Sequence, residues 1–239
     1  MQYDNVISLG TNCEVSFRCA NYYKDYSTFP FSWVQINDLD KFLLALDDLE
    51  GMYKGSYHFD KDLIVFEKYN IGFHLRNKNG EMINSYKEIE SLDYSLKELD
   101  SRMKHLIDKW DSAKKDKNAF IQYFVTKNHN NIHNYITNLY NTLDSIFNDF
   151  TLFIVVKKEI YRNVKIKKQH NIHIHYVRKC PKREEISNPK YSDRVKWLLI
   201  LRNIKKGNAV RYLYSCYPTI GRLFHPLLKL KHSLSKKKS

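Results

Sequence analysis

The sequence predicts an α/β protein: a mostly parallel central sheet flanked by helices, with a β-hairpin insertion and a helical, basic C-terminus. Three observations predict it. Short apolar runs of strand length alternate with helix-period segments along the first 180 residues. One stretch breaks that alternation, where Leu63-Ile64-Val65-Phe66 and Ile71-Gly72-Phe73-His74-Leu75 precede the turn signal Asn79-Gly80. From Arg194 onward there are twelve Lys or Arg and no Asp or Glu, although the rest of the chain is nearly balanced, with 28 basic against 26 acidic residues.

Taken in order, Val6-Ile7-Ser8-Leu9 is a short buried strand that ends at Gly10, and Glu14 to Tyr23 is a helix. Thr11-Asn12-Cys13 is therefore a tight strand-to-helix turn. Phe29-Pro30-Phe31-Ser32-Trp33 is too aromatic and too broken by proline for either element, and reads as a packed loop. Apolar residues at 39, 42, 43, 46 and 49 predict a helix, capped by Asn37 or Asp38. Ser95 to Trp110 is a long amphipathic helix with Leu99, Met103 and Leu106 on one face. Ala119 to Val125 is a strand, Ile132 to Phe147 a helix, and Thr151 to Val156 and Ile172 to Val177 are strands. Past Cys180-Pro181 three helices are expected, over Asp193 to Ile204, Ala209 to Tyr217 and Ile220 to Leu234, separated or kinked by Pro218 and Pro226. Two units follow: residues 1–190 as the cysteine-bearing α/β domain and 191–239 as a basic helical extension packed on it.

Hydrophobic residues make up 43% of the 239-residue chain, enough for a substantial core. The amino terminus has no signal-like run, and no stretch is long and apolar enough to span a membrane, so a cytoplasmic location is expected. Four scattered cysteines without a CxxC pair speak against a disulfide framework. The net charge of +14 bears on partners, because it is concentrated at the C-terminus. Arg222, Lys229, Lys231, Lys236, Lys237 and Lys238 lie among apolar residues, a pattern that suits contact with an anionic membrane surface. A docked helix with a solvated lysine tail fits the same residues. Nucleic acid is not an expected partner, since no recognition motif accompanies the charge.

Cys13 is the strongest candidate for chemistry. A thiolate is favoured at a helix N-terminus, and the C-terminal edge of a sheet strand is where open α/β folds bind ligands. Asn12 and the backbone N–H groups of the turn could stabilise an oxyanion. The competing reading is a small residue that packs the start of a helix. A cysteine nucleophile needs a base, and His74, which ends an apolar strand, is the histidine that stands out; a half-exposed strand histidine is the plainer reading. His173 and His175 alternate like a metal pair, but the neighbouring lysines and arginines argue against a cation, and no metal is expected.

The runs Ile7-Ser8-Leu9-Gly10-Thr11-Asn12-Cys13 and Tyr26-Ser27-Thr28-Phe29-Pro30-Phe31-Ser32-Trp33 resemble the opening of a bacterial papain-like cysteine peptidase family, whose members read "sLGxxC" and then "PFDW". The resemblance continues loosely through Gly72-Phe73-His74, the helix around Arg102 and Phe120-Ile121-Gln122. It implies a Cys13–His74 site, with Gly10, Thr11, Ser32 and Trp33 near the substrate. It also implies kinship with cysteine-centred acetyltransferases of capsule polysaccharide biosynthesis, acting on a glycan or lipid-linked glycan. No cofactor is then required, and coenzyme A is a candidate acyl donor. Ser32 departs from the family, which has Asp there; Asn12 or Asp60 could take over its role. The function expected is a cysteine-nucleophile acyltransferase or hydrolase; the alternative is a non-catalytic membrane-surface binding protein that retains the fold.

Overall fold

The computed structural model describes residues 3–83, 85, 87, 89, 91–124, 132–158, 171–177 and 193–204. In chain order the elements are β1 (Asn5–Ser8), α1 (Glu14–Tyr22), β2 (Val34–Ile36), α2 (Leu39–Asp47), a 3-10 turn (Gly51–Tyr53), β3 (Tyr57–Asp60), β4 (Leu63–Phe66) and β5 (Ile71–His74). Then come α3 (Leu92–Ala113), β6 (Lys117–Phe124), α4 (Ile132–Ile146), β7 (Asp149–Lys157), β8 (Ile172–Val177) and α5 (Arg194–Ile204).

Two sheets result. The first is wholly parallel, in the order β1-β6-β7-β8, with Ile7 opposite Phe120 and Phe120 opposite Leu152. Its inner strand β7, Asp-Phe-Thr-Leu-Phe-Ile-Val-Val-Lys, is buried on both faces, which explains its nearly continuous apolar run. Alternation sorts the side chains of this sheet. Ile7, Phe120, Leu152 and Ile154 point to one face, where α2, α3 and α4 add Phe42, Met103, Trp110, Ile136 and Leu139. Trp110 is the hub there, with ring centroids 4.9 Å from Phe147, 5.5 Å from Phe31 and 5.8 Å from Phe120. Val6, Ile121, Phe153 and Val155 point to the other face, covered by Val15, Cys19 and Tyr22 of α1 and by Trp197, Ile200 and Leu201 of α5.

The second sheet is an antiparallel meander in the order β2-β5-β4-β3. It is larger than the expected hairpin. Two of its strands escape a reading by pattern, because β2 has only three residues and β3 is mostly exposed. Its reversals use Lys61 (φ 58°) and Asn70 (φ 55°), left-handed positions with no glycine to announce them. Asn79-Gly80 does turn the chain, but joins only the single bridge Arg76–Met82. Val34, Ile64, Phe66, Ile71 and Phe73 of this sheet join the first core cluster.

Local chemistry sets the helix starts. The Asp38 carboxylate accepts from the N–H groups of Asp40 and Lys41 at 3.0 Å and opens α2, and the Ser91 hydroxyl accepts from Tyr94 N at 3.3 Å and opens α3. The helix expected from Asp193 is α5, and it belongs to the core: Trp197 and Leu201 are fully buried, and Tyr23 donates its hydroxyl to Leu201 O at 2.7 Å. Among the described residues no helix is long and apolar enough to cross a membrane. The helices expected at Ala209 to Tyr217 and Ile220 to Leu234, and the membrane-contact candidates from Arg222 to Lys238, lie outside the described residues.

Candidate active site

The turn between β1 and α1 places two consecutive residues in the left-handed region. Gly10 and Thr11 both have φ 71°. For glycine that conformation costs little, but for a β-branched residue it is an outlier of about 1–3 kcal/mol, held only where the surroundings demand it. Here they do. The Thr11 hydroxyl sits against the carbonyls of Gly10 and Tyr123, which ties the turn to the end of β6. Gly10 is pressed against the second sheet so closely that a Cβ there would lie 2.6 Å from Ile36 Cδ1 and 3.1 Å from Val34 Cγ2. Gly10 is therefore a packing residue, buried against Ile36 and Val34 of β2.

The turn delivers Cys13 to the N-cap of α1, at the C-terminal edge of the parallel sheet. The thiol is half-buried and outside any disulfide. It does not serve as the side-chain cap; Asn12 does that, its Oδ1 accepting from Glu14 N at 2.9 Å. With its oxygen so engaged, Asn12 keeps its amide group as the donor end. Glu14 and Arg18 form a fully buried ion pair, Nε to Oε1 at 2.8 Å. The pairing matters next to a thiol, because an uncompensated carboxylate at Glu14 would oppose a thiolate at Cys13.

Ser32 takes a structural part. It is fully buried; its hydroxyl accepts from Phe29 N at 2.8 Å, and its carbonyl accepts from the Ser16 hydroxyl, on the next turn of α1 after Cys13. The Tyr26 hydroxyl lies 3.3 Å from Ser16 Oγ and 3.4 Å from Ser32 Oγ, and burial drives its pKa well above the ordinary phenol value. Ser32 thus fastens the Phe29–Trp33 loop to α1 and has no surface to offer a substrate. Trp33, half-buried, is the one aromatic residue of that loop with exposed area.

His74 closes β5. Val34 and Phe73 are cross-strand partners, and Val34 is the residue that meets Gly10. Because Phe73 shares that face, His74 points to the other face of the meander. His74 is 8% exposed, and its Nδ1 lies 3.5 Å from Asp62 Oδ2. Asp62 is thus a carboxylate partner of His74 that the sequence reading did not name. The signal was available in the hairpin register: Leu63 pairs with His74, so the residue before Leu63 stands beside the imidazole. The loop Phe29–Trp33 links the two parts, bonded to α1 through Ser16 and continuing into β2 beside β5.

A second buried polar group underlies the edge. Gln122 Nε2 donates to Tyr135 Oη at 2.9 Å and lies 3.5 Å from Leu9 O. It ties β6 to α4 directly below the cysteine turn. At the other end of the sheet, a groove of about 480 Å³ lies between Leu46, Leu49, Ile107 and Ile146, rimmed by Asp48 and Asp111. Both rim acids are paired, with Lys68 at 2.6 Å and Lys114 at 2.7 Å. His173 and His175 stack on Phe153, with centroids at 5.1 and 6.1 Å, on the face that carries α5.

The fold and this turn define a class: an α/β protein that holds a cysteine at a helix N-terminus on the C-terminal rim of a parallel sheet. Compared with family models, with curated proteins and with solved structures, the chain finds no match in any of the three.

Proposed function

We propose that the chain is a cysteine-nucleophile acyl-transfer enzyme of papain-like character, an acyltransferase or hydrolase acting in the bacterial cytoplasm on a surface-polysaccharide precursor, either a glycan or a lipid-linked glycan. The observation that carries this reading is the strained Gly10–Thr11 turn, which presents a half-exposed Cys13 at the N-terminus of α1. The attacking thiolate forms a thioester with the acyl carbonyl, and the leaving group departs with a proton from His74. An acceptor hydroxyl or water then attacks the thioester, gives its proton to His74, and regenerates the thiol. Asp62 holds the imidazole and stabilises its charged form, a positioning role. Backbone N–H groups at the start of α1, with the Asn12 amide, stabilise the tetrahedral oxyanion. An acyl-coenzyme A thioester is the donor we favour, with coenzyme A as the leaving thiol, and the basic C-terminus is the part we assign to an anionic membrane surface.

The test is the pH dependence of Cys13 alkylation by iodoacetamide in the parent, His74→Ala and Asp62→Asn proteins. The parent is expected to react well below the ordinary thiol pKa of about 8.5. His74→Ala removes that advantage, and Asp62→Asn shifts the profile part of the way. An inert Cys13, or one that behaves as an ordinary thiol in all three proteins, would replace catalysis with the binding role.

A further inference from the structure

His74 lies on one face of the meander at the end of β5, and two guanidinium groups come to the same strand end. Arg76 lies two residues beyond His74, past the end of β5, in the isolated bridge to Met82. Helix α3 clamps both: Arg102 Nη2 donates to His74 O and the Ser95 hydroxyl donates to Arg76 O, each at 2.9 Å. Burial, together with the positive charge of Arg76, lowers the pKa of Arg102, so the two groups sit within electrostatic reach of each other. One carboxylate serves them, with Glu98 Oε1 at 3.4 Å from Arg102 Nε. Arg76 makes no ion pair and no side-chain hydrogen bond among the described residues, and its Nε is closed off from solvent. Asp62, the other acid on this face, is engaged with His74.

A half-buried guanidinium with a buried, unpaired Nε–H, beside a second guanidinium and the Glu98 carboxylate, is short of negative charge. The planar fork of arginine matches oxyanions in a way a lysine does not. We propose that Arg76 and Arg102 form an oxyanion-binding subsite next to His74, which receives a phosphate or carboxylate group of the donor or acceptor. The identity of that group rests on the acyl-transfer reading above; the subsite itself does not.

Calorimetric titration of the full chain at low ionic strength tests it, using inorganic pyrophosphate, coenzyme A and glucuronate as probes. Saturable binding of one probe per chain is expected. Arg76→Gln should weaken it about tenfold, Arg76→Lys less, and Cys13→Ala not at all. Because the Arg76 side chain makes no hydrogen bond or ion pair among the described residues, Arg76→Gln should melt with the parent. Coenzyme A binding tighter than pyrophosphate assigns the oxyanion to the donor, whereas glucuronate binding tightest assigns it to a sugar carboxylate. No saturable binding of any probe overturns the subsite. So does binding that Arg76→Gln leaves unchanged, which would locate the anions on the basic C-terminus. Anion binding that persists in Cys13→Ala, alongside an unreactive Cys13 in the parent, would retain the subsite and discard the acyl-transfer reading.

Discussion

Two cysteines on one helix, about two turns apart, differ in every property that governs thiol chemistry. Cys13 stands at the N-cap, half-exposed, after a turn that local hydrogen bonds hold in a costly conformation. Cys19 is fully buried against the parallel sheet with Val15 and Tyr22, and desolvation drives its thiol pKa far above the ordinary value. The residue type is the same, and the surroundings separate a candidate nucleophile from a packing group. What distinguishes them is distance from the helix end and from the core, both fixed by where β1 stops.

The contrast can be broken most sharply by function. Cys13→Ala is expected to lower thioester hydrolysis by at least about a thousandfold, while Cys19→Ala leaves the rate within about twofold. Comparable losses in both would dissolve the distinction. The next largest effect concerns the ion pair between the two cysteines. Arg18→Met strands the buried Glu14 carboxylate and should cost about 3–5 kcal/mol in urea unfolding, most of it recovered in the Glu14→Gln, Arg18→Met double variant. Gly10→Ala should cost about 2 kcal/mol, because the new Cβ meets Ile36 and Val34 at a positive φ. An unchanged urea midpoint would show that the turn is not wedged by the second sheet.

The smallest effect extends the same burial logic to an imidazole. Burial beside Phe153, with His173 and Lys196 nearby, lowers the pKa of His175 from 6.5 to about 4. Between those values the unfolded chain binds the proton and the folded chain does not, so stability rises with pH across that window. It is fully present above about 6.5 and lost as pH falls toward 4, by up to about 2 kcal/mol after allowing for partial exposure. His175→Gln should flatten that part of the melting-temperature profile, and an unaltered slope would reject the assignment.

Much of the fold was legible because its signals are local. The β7 run, the α3 periodicity and the glycine after β1 each decide an element within a few residues. The helix after Asp193 was equally visible, though its burial was not, since Trp197 gives no hint of the sheet face it will meet. The meander was only half legible, because β2 and β3 exist by pairing with neighbours and carry little pattern of their own. The site divides the same way. Cys13 and its position at a helix start follow from the adjacent sequence. Asp62 and the Arg76–Arg102 pair depend on register and on contact with α3, which no single stretch contains. The burial of Ser32 was not legible, because a buried hydroxyl that holds a loop looks the same in sequence as an exposed one.

The bond from Tyr23 to Leu201 joins the far end of α1 to the last turn of α5. Since α1 runs from Cys13 to Tyr23, the chain leaves α5 about 15 Å away from the thiol, at the opposite rim of the sheet. The last turn of α5 is therefore moored on the rim away from the cysteine, so the described part of the basic segment and the thiol occupy opposite ends of α1.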